Sequence, residues 1–187
     1  MNVDYFSLPL REPLATARGD ITDRTGYLVS LDDPAPGIGE ATPLPGWTES
    51  LDACEAALRD VDPADDLDAL PPAARHGVSL ALLDAHARAD GVPLYRYLGA
   101  RATIESVPVN ATVGDAAVEQ TVDAVETAVG AGFPAVKLKV GTRPVDADLD
   151  RVRAVRDACP DVELRLDANG AWSSDEAERA VEGGRPL

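Results

Sequence analysis

Residues 134–170 read PAVKLKVGTRPVDADLDRVRAVRDACPDVELRLDANG. Pro134–Val140 is a short, largely apolar run with alternating polar positions, which predicts a strand. Asp146–Ala158 follows, with Leu149, Val152 and Val155 at helical spacing, and Pro160 stops it. Val162–Asp167 is a second extended run that ends in the turn-forming residues Asn169 and Gly170. The stretch is therefore strand–helix–strand. Upstream, Val107–Val113 predicts another strand. A helix over Asp115–Val129 follows, with Val118, Val122, Val125 and Val129 on one face and Gly130 and Gly132 near its end. Downstream, Ser173 and Glu176 have capping-box spacing and open one more helix. Predicted strand starts recur about every 27 residues, the rhythm of βα repetition around a parallel sheet.

Three βα units are present. A closed eight-stranded barrel needs about 250 residues, so the region from Ile104 onward predicts an incomplete (β/α) barrel or a small open sheet. Before Ile104 the rhythm is α+β. Strands are predicted at Val3–Leu8, Tyr27–Leu31 and Ile38–Thr42, with a polar loop over Gly19–Arg24. A helix capped by Thr48 runs to about Arg59. A second covers Ala73–Ala89, with Val78, Leu82, Ala85 and Ala89 as its stripe and Ala81 alongside, and stops at Gly91-Val92-Pro93. Pro63–Pro72 is an acidic connector.

The 187 residues carry a formal net charge of −16, spread along the chain rather than gathered into a tail. Hydrophobic residues make up 45%, which supports a folded core and excludes a disordered acidic segment. The charge opposes nucleic-acid binding, since no basic cluster offsets it. It fits a strongly solvated surface in a salt-rich cytoplasm. No apolar run is long enough for a membrane span and no leader pattern opens the chain, so a cytoplasmic location is expected. Cys54 and Cys159 predict free thiols.

Among 17 basic side chains only two are lysines, Lys137 and Lys139. At i and i+2 of a strand they face the same way, with Val136, Leu138 and Val140 facing the packed helices. A lysine amine can be tuned to lose its proton, whereas arginine stays charged. Neighbouring amines and partial burial disfavour protonation, so the pair reads as acid–base chemistry. The alternative is two lysines on an exposed strand. Arg165, Asp167 and Asn169 share one parity at the C-terminal end of the next strand, where parallel βα folds bind ligands. Asp167 can supply one hard oxygen to a divalent cation such as Mg2+. Asn169 can ligate, orient the carboxylate or hold water, and Arg165 can offset the acid or grip a substrate carboxylate. The alternative is a loop-capping Asp-Ala-Asn-Gly turn. Arg18, Asp20 and Arg24 form a polar loop able to close over a ligand or to stay solvated. Glu40, His76 and His86 read as structural, Trp172 as packing where the third parallel strand leaves the sheet. No GxGxxG or GxxxxGK[ST] signature is present.

These segments resemble the enolase superfamily, and most closely its o-succinylbenzoate synthases. The matching stretches are GEATPLPGW (39–47), VSLALLDAHARADGVPLYRYLGA (78–100), AVKLKVG (135–141) and LRLDANGAW (164–172). The resemblance implies an α+β capping domain over residues 1–103, with the loop Leu14–Arg24 closing the site. Residues 104–187 would then be the first three βα units of a barrel. It implies Lys139 as the base that removes the proton α to a substrate carboxylate, Lys137 as its neighbour, Asp167 as the first Mg2+ ligand, and Arg165 and Asn169 toward the substrate. The implied reaction is syn-dehydration of 2-succinyl-6-hydroxy-2,4-cyclohexadiene-1-carboxylate to 2-succinylbenzoate. Dipeptide epimerases and muconate cycloisomerases share much of the pattern, and a non-catalytic acidic remnant or interaction fragment is the alternative outside catalysis. By the same resemblance, further carboxylate ligands and an opposing lysine belong to later strands. The chain is thus expected to be truncated after its third barrel strand, to lack appreciable synthase activity alone, and to need a complementing barrel fragment.

Overall fold

The structure, a computed structural model, describes residues 1–16, 19–44 and 46–184. They form two compact units, Met1–Ile104 and Glu105–Leu187. The first is an α+β unit. The second consists of three βα units whose three-stranded sheet does not close.

In the N-terminal unit, β1 (Asn2–Thr16), β2 (Gly19–Leu31) and β3 (Gly37–Ala41) form an antiparallel sheet in the order β1-β2-β3. Helices α1 (Leu51–Asp60), α2 (Pro72–Ala89) and α3 (Leu94–Tyr97) follow, with a 3-10 turn at Leu67–Ala69. The segment expected as a polar loop, Gly19–Arg24, is instead part of β2. It pairs with β1 up to Thr16↔Gly19, with a register shift between Pro9 and Leu14. A two-stranded ribbon satisfies its backbone hydrogen bonds without burying side chains, so it can run past the core carrying polar residues that read as loop. The expected site-closing loop Leu14–Arg24 is therefore mostly strand, and Arg18 lies outside the described residues. Asp20 is exposed, and Arg24 Nη2 donates to the Thr42 carbonyl at 3.3 Å.

Tyr27, Val29 and Leu31 point inward from β2 and meet Cys54, Leu58, Ala74, Val78 and Ala81 from the helices. Ser50, not Thr48, caps α1: its hydroxyl accepts from the Ala53 amide. Thr48 instead accepts from the Leu44 amide at 2.8 Å, closing the loop before the helix. Glu49 accepts from Ala73 and Ala74 at 3.1 and 2.9 Å and so caps α2, whose start carries no side-chain cap of its own. Of the expected α2 stripe, Val78, Ala81 and Ala85 are buried and Leu82 packs against the core, and only Ala89 falls outside it. Ala73, Ala74 and Gly77 are buried too, while Ala89 is exposed.

Small residues let α2 lie directly on β3. The inward positions of β3 are Gly37, Gly39 and Ala41. A Cβ on Gly39 would fall on the Gly77 carbonyl oxygen and within 2.7 Å of the Ala81 nitrogen, and one on Gly77 would lie 2.8 Å from Ala41 Cβ. The obstructing atoms at Gly39 are backbone and cannot rotate away. Gly39→Ala is expected to destabilise this unit by about 3 kcal/mol through overpacking. Gly130→Ala, with nothing within 4 Å of the added methyl, should change little. Chemical denaturation followed by circular dichroism measures both, and equal midpoints for the two variants would refute the close-approach account.

In the C-terminal unit, β4 (Ala111–Val113), β5 (Ala135–Lys139) and β6 (Glu163–Asp167) are parallel in the order β4-β5-β6, each followed by a helix: α4 (Val118–Gly130), α5 (Val145–Ala158) and α6 (Ser174–Gly184). The strand expected at Val107–Val113 is only three residues long. Its pairing starts at Ala111↔Val136, and Val107 and Val109 are exposed. The buried face of α4 is Thr121, Val125 and Ala128, whereas Val129 is exposed. The helix begins three residues later than expected, and of the expected stripe only Val125 is fully buried, with Val122 packed against the core. Ser173 and Glu176 form the capping box, with the Ser173 amide and hydroxyl each 2.9 Å from Glu176 Oε2. Trp172 packs against both apolar clusters of this unit.

Candidate active site at the ends of β5 and β6

Strand alternation on β5 places Val136 and Leu138 in the core and leaves Lys137 and Lys139 on the opposite face, their side chains 33% and 31% exposed. Parallel pairing sets Lys137 opposite Arg165 and Lys139 opposite Asp167. Both amines converge on one oxygen: Lys139 Nζ lies 2.8 Å and Lys137 Nζ 3.2 Å from Asp167 Oδ2. The other carboxylate oxygen, Oδ1, accepts from the Asn169 amide at 3.1 Å. Asn169 has φ +48° and Gly170 φ +74°, the left-handed pair that turns the chain out of β6.

Asp167 thus does two things. It caps the Asp-Ala-Asn-Gly turn, the alternative weighed from sequence, and it gathers the lysines. The hydrogen bond from Lys139, with those from Asn169 and Lys137, overcomes burial and lowers its carboxyl to about 2. The mutual repulsion expected of two bare amines is therefore mediated by a carboxylate between them. Because the folded-state value lies below the ordinary 3.8, this pairing contributes stability above the unfolded value and loses it as pH falls toward about 2. Carboxyl 13C titration of the Asp167 signal should find that low midpoint, and Lys139→Met should raise it toward the ordinary value. A midpoint near 3.8 in the unsubstituted chain would refute the pairing.

Of the two roles open to Arg165, offsetting Asp167 is not the one its contacts show. Its guanidinium turns to Glu163 at 2.8 Å and to Asn110 Oδ1 at 3.2 Å. The lysines are nearer the acid and take that role. Among the described residues no three of His, Cys, Asp and Glu are grouped so as to hold a metal ion. Asp167 offers one hard oxygen donor at a strand end, which fits a share of a Mg2+ shell.

The family model described as "Enolase C-terminal domain-like" matches residues 120–186. The L-Ala-D/L-Glu epimerase of Bacillus subtilis is 32% identical over 94% of this chain and 53% of its own length. The o-succinylbenzoate synthase of Listeria innocua is 29% identical over 92% of this chain and 50% of its own. A dipeptide epimerase structure from Enterococcus faecalis, complexed with Mg and the dipeptide L-Leu-L-Tyr, superposes with TM-score 0.78 at 27% identity, covering 99% of this chain and 57% of that one. The chain belongs to the enolase superfamily. It spans about half the length of the relatives it matches.

Beneath the lysines of this superfamily member lies a network that the sequence reading missed. Arg151 on α5 is fully buried. Its Nε donates to Thr121 Oγ1 at 3.1 Å, Nη1 to the Lys139 carbonyl at 3.0 Å and to Asp148 Oδ1 at 3.1 Å, and Nη2 to the Gly114 carbonyl at 3.1 Å. Asp148, also buried, accepts from the Gly141 amide at 2.7 Å. The available signal was an Asp and an Arg three residues apart on the border of the apolar stripe Leu149, Val152 and Val155, a pair that can be buried only as a unit.

The remaining candidates stay apart from this chemistry. Glu40 is exposed and accepts from the Thr42 hydroxyl. His76 is exposed, and His86 stacks on Tyr97 at 6.3 Å. Both cysteines are free thiols. Burial, with the neighbouring Glu49 charge, pushes the Cys54 thiol up to about 12, which removes it as a nucleophile. No helix among the described residues is long and apolar enough to cross a membrane.

Proposed function

We propose that this chain serves in the Mg2+-assisted epimerisation of a dipeptide, with residues 1–103 acting as the capping domain and 104–187 as the base-bearing part of the barrel. The observation that carries this reading is the convergence of Lys137 and Lys139 on Asp167 at the C-terminal end of a parallel strand. It stands in a chain similar to several dipeptide epimerases at 27–32% identity and to a synthase at 29%. Lys139 is the base that takes the proton from the carbon α to the substrate carboxylate, and Lys137 keeps Asp167 in place and adds positive charge near the developing enolate. Asp167 would contribute one ligand to Mg2+, which when bound supplies charge stabilisation for the proton-abstracted substrate. Asn169, whose backbone amide is committed to Asp167, and Arg165 are the residues proposed to face the substrate. For Arg165 this requires release from Glu163.

Succinylbenzoate formation is the second reading, favoured by the Listeria innocua relative and by the same lysine pair. The two separate on one assay. Deuterium wash-in at the α-carbon of L-Ala-L-Glu and L-Leu-L-Tyr is followed in D2O with Mg2+. The chain is tested alone and mixed with the part of the Bacillus subtilis epimerase outside the match, which serves as the complementing barrel piece. Exchange in the mixture and none with the chain alone is the expected result. Conversion of the cyclohexadiene substrate without dipeptide exchange would give the site to the synthase reading, and activity of the chain alone would refute the need for a complementing piece.

A further inference from the structure

A buried guanidinium is tolerated only when its donors are matched, and what matches them at Arg151 is informative. Two of its partners are main-chain carbonyls at the ends of adjacent strands, Gly114 after β4 and Lys139 on β5. Its side-chain partners are Thr121 from α4 and Asp148 from α5, with the Asp115 carboxylate just after β4 at 3.5 Å. The planar fork therefore ties two strand ends to two helices. Asp148 completes the grip by taking the Gly141 amide at 2.7 Å. The peptides on both sides of Val140 are thus held from the helical layer. Gly141 has φ +93° and sits where a Cβ would lie 2.9 Å from Ala171 Cβ, so β5 leaves the sheet along a single tight path. On the opposite face the Lys139 side chain reaches Asp167. A lysine stem has four rotatable bonds, and its amine is only as well placed as the backbone that carries it.

We propose that Arg151 is a positioning residue for Lys139: by holding the Lys139 carbonyl, with Thr121 aiming the guanidinium and Asp148 fixing the next turn, it keeps the Lys139 amine at the reacting position. This deepens the proposed lysine chemistry and rests on it for its meaning. Its test does not, because it is read on the chain without substrate.

The chain's two lysines make that reading direct. In 15N-lysine-labelled chain the ε-ammonium region contains two signals, which Lys137→Arg assigns. Thr121→Val removes the acceptor that orients Arg151 and leaves the ion pair with Asp148. It is expected to fold as the unsubstituted chain does, by circular dichroism, while the Lys139 ammonium order parameter falls about twofold and that of Lys137 is kept. Arg151→Gln, where it folds, is expected to give a larger loss at Lys139. An unchanged Lys139 signal in folded Thr121→Val overturns the proposal. An equal loss at both lysines also overturns it, since that is general loosening from a purely structural role.

Discussion

Replacing Lys139 with arginine is expected to slow α-proton exchange by about 10²–10⁴-fold in the complemented assay, the usual worth of a general base. The substitution isolates proton transfer from charge. A guanidinium at 139 still faces Asp167 across the β5–β6 pairing, so the attraction that closes the site is kept. It does not give up a proton in the working range of an enzyme. Lys137→Arg is the matched control. Its partner is the same Asp167 oxygen at 3.2 Å, and a residue that contributes charge rather than a proton tolerates the exchange far better. Equal losses for the two variants, measured as kcat for deuterium wash-in, would refute the assignment of Lys139 as the base.

Arg151→Met is expected to cost the C-terminal unit about 3–5 kcal/mol, the range for removing one partner of a buried ion pair. Methionine fills much of the space, so the loss is not mainly a cavity. It leaves Asp148 as a buried charge offset only by the Arg143 guanidinium at 3.8 Å and the Gly141 amide, and it strips the Lys139 and Gly114 carbonyls and the Thr121 hydroxyl of their donor. Urea denaturation of the chain should show the transition of residues 105–187 moving to lower denaturant while that of the N-terminal unit stays. Pairing Arg151→Met with Asp148→Leu should recover part of the loss, because an apolar pair leaves no orphaned charge. A midpoint for Arg151→Met equal to that of the unsubstituted chain would show that the network is not supporting this unit.

How much of this was legible beforehand depended on the range of the interaction. Alternation alone put Lys137 and Lys139 on one face and Val136 and Leu138 on the other, since a period of two is a local property of a strand. The capping box at Ser173 and Glu176 was likewise local. Register was not. That Lys139 stands opposite Asp167 and Lys137 opposite Arg165 follows from how β5 and β6 align, and no single segment encodes it. Asp167 therefore read as a metal ligand and a turn cap, not as the acid shared by two amines. The ribbon at Gly19–Arg24 was missed because its hydrogen bonds are main-chain and its polar side chains give no period. β4 was read too long because valines at 107 and 109 suggest a strand, whereas pairing starts only where β5 offers a partner. Arg151 and Asp148 carry charges that normally mark a solvated face, and only the three-dimensional meeting of α4, α5, β4 and β5 explains their burial.

The contact of α2 with β3 has a mechanical meaning. Gly37, Gly39 and Gly77 remove the layer of side chains that usually separates a helix from a sheet. Side chains in such a layer can change rotamer and absorb a small shift, and here there are none to do so. The Asp84 carboxylate on α2 also accepts from the Ile38 amide at 3.0 Å. Helix and strand are thereby joined as one stiff plate, and a displacement of α2 is carried undamped to Glu40 and to Thr42 just beyond the strand.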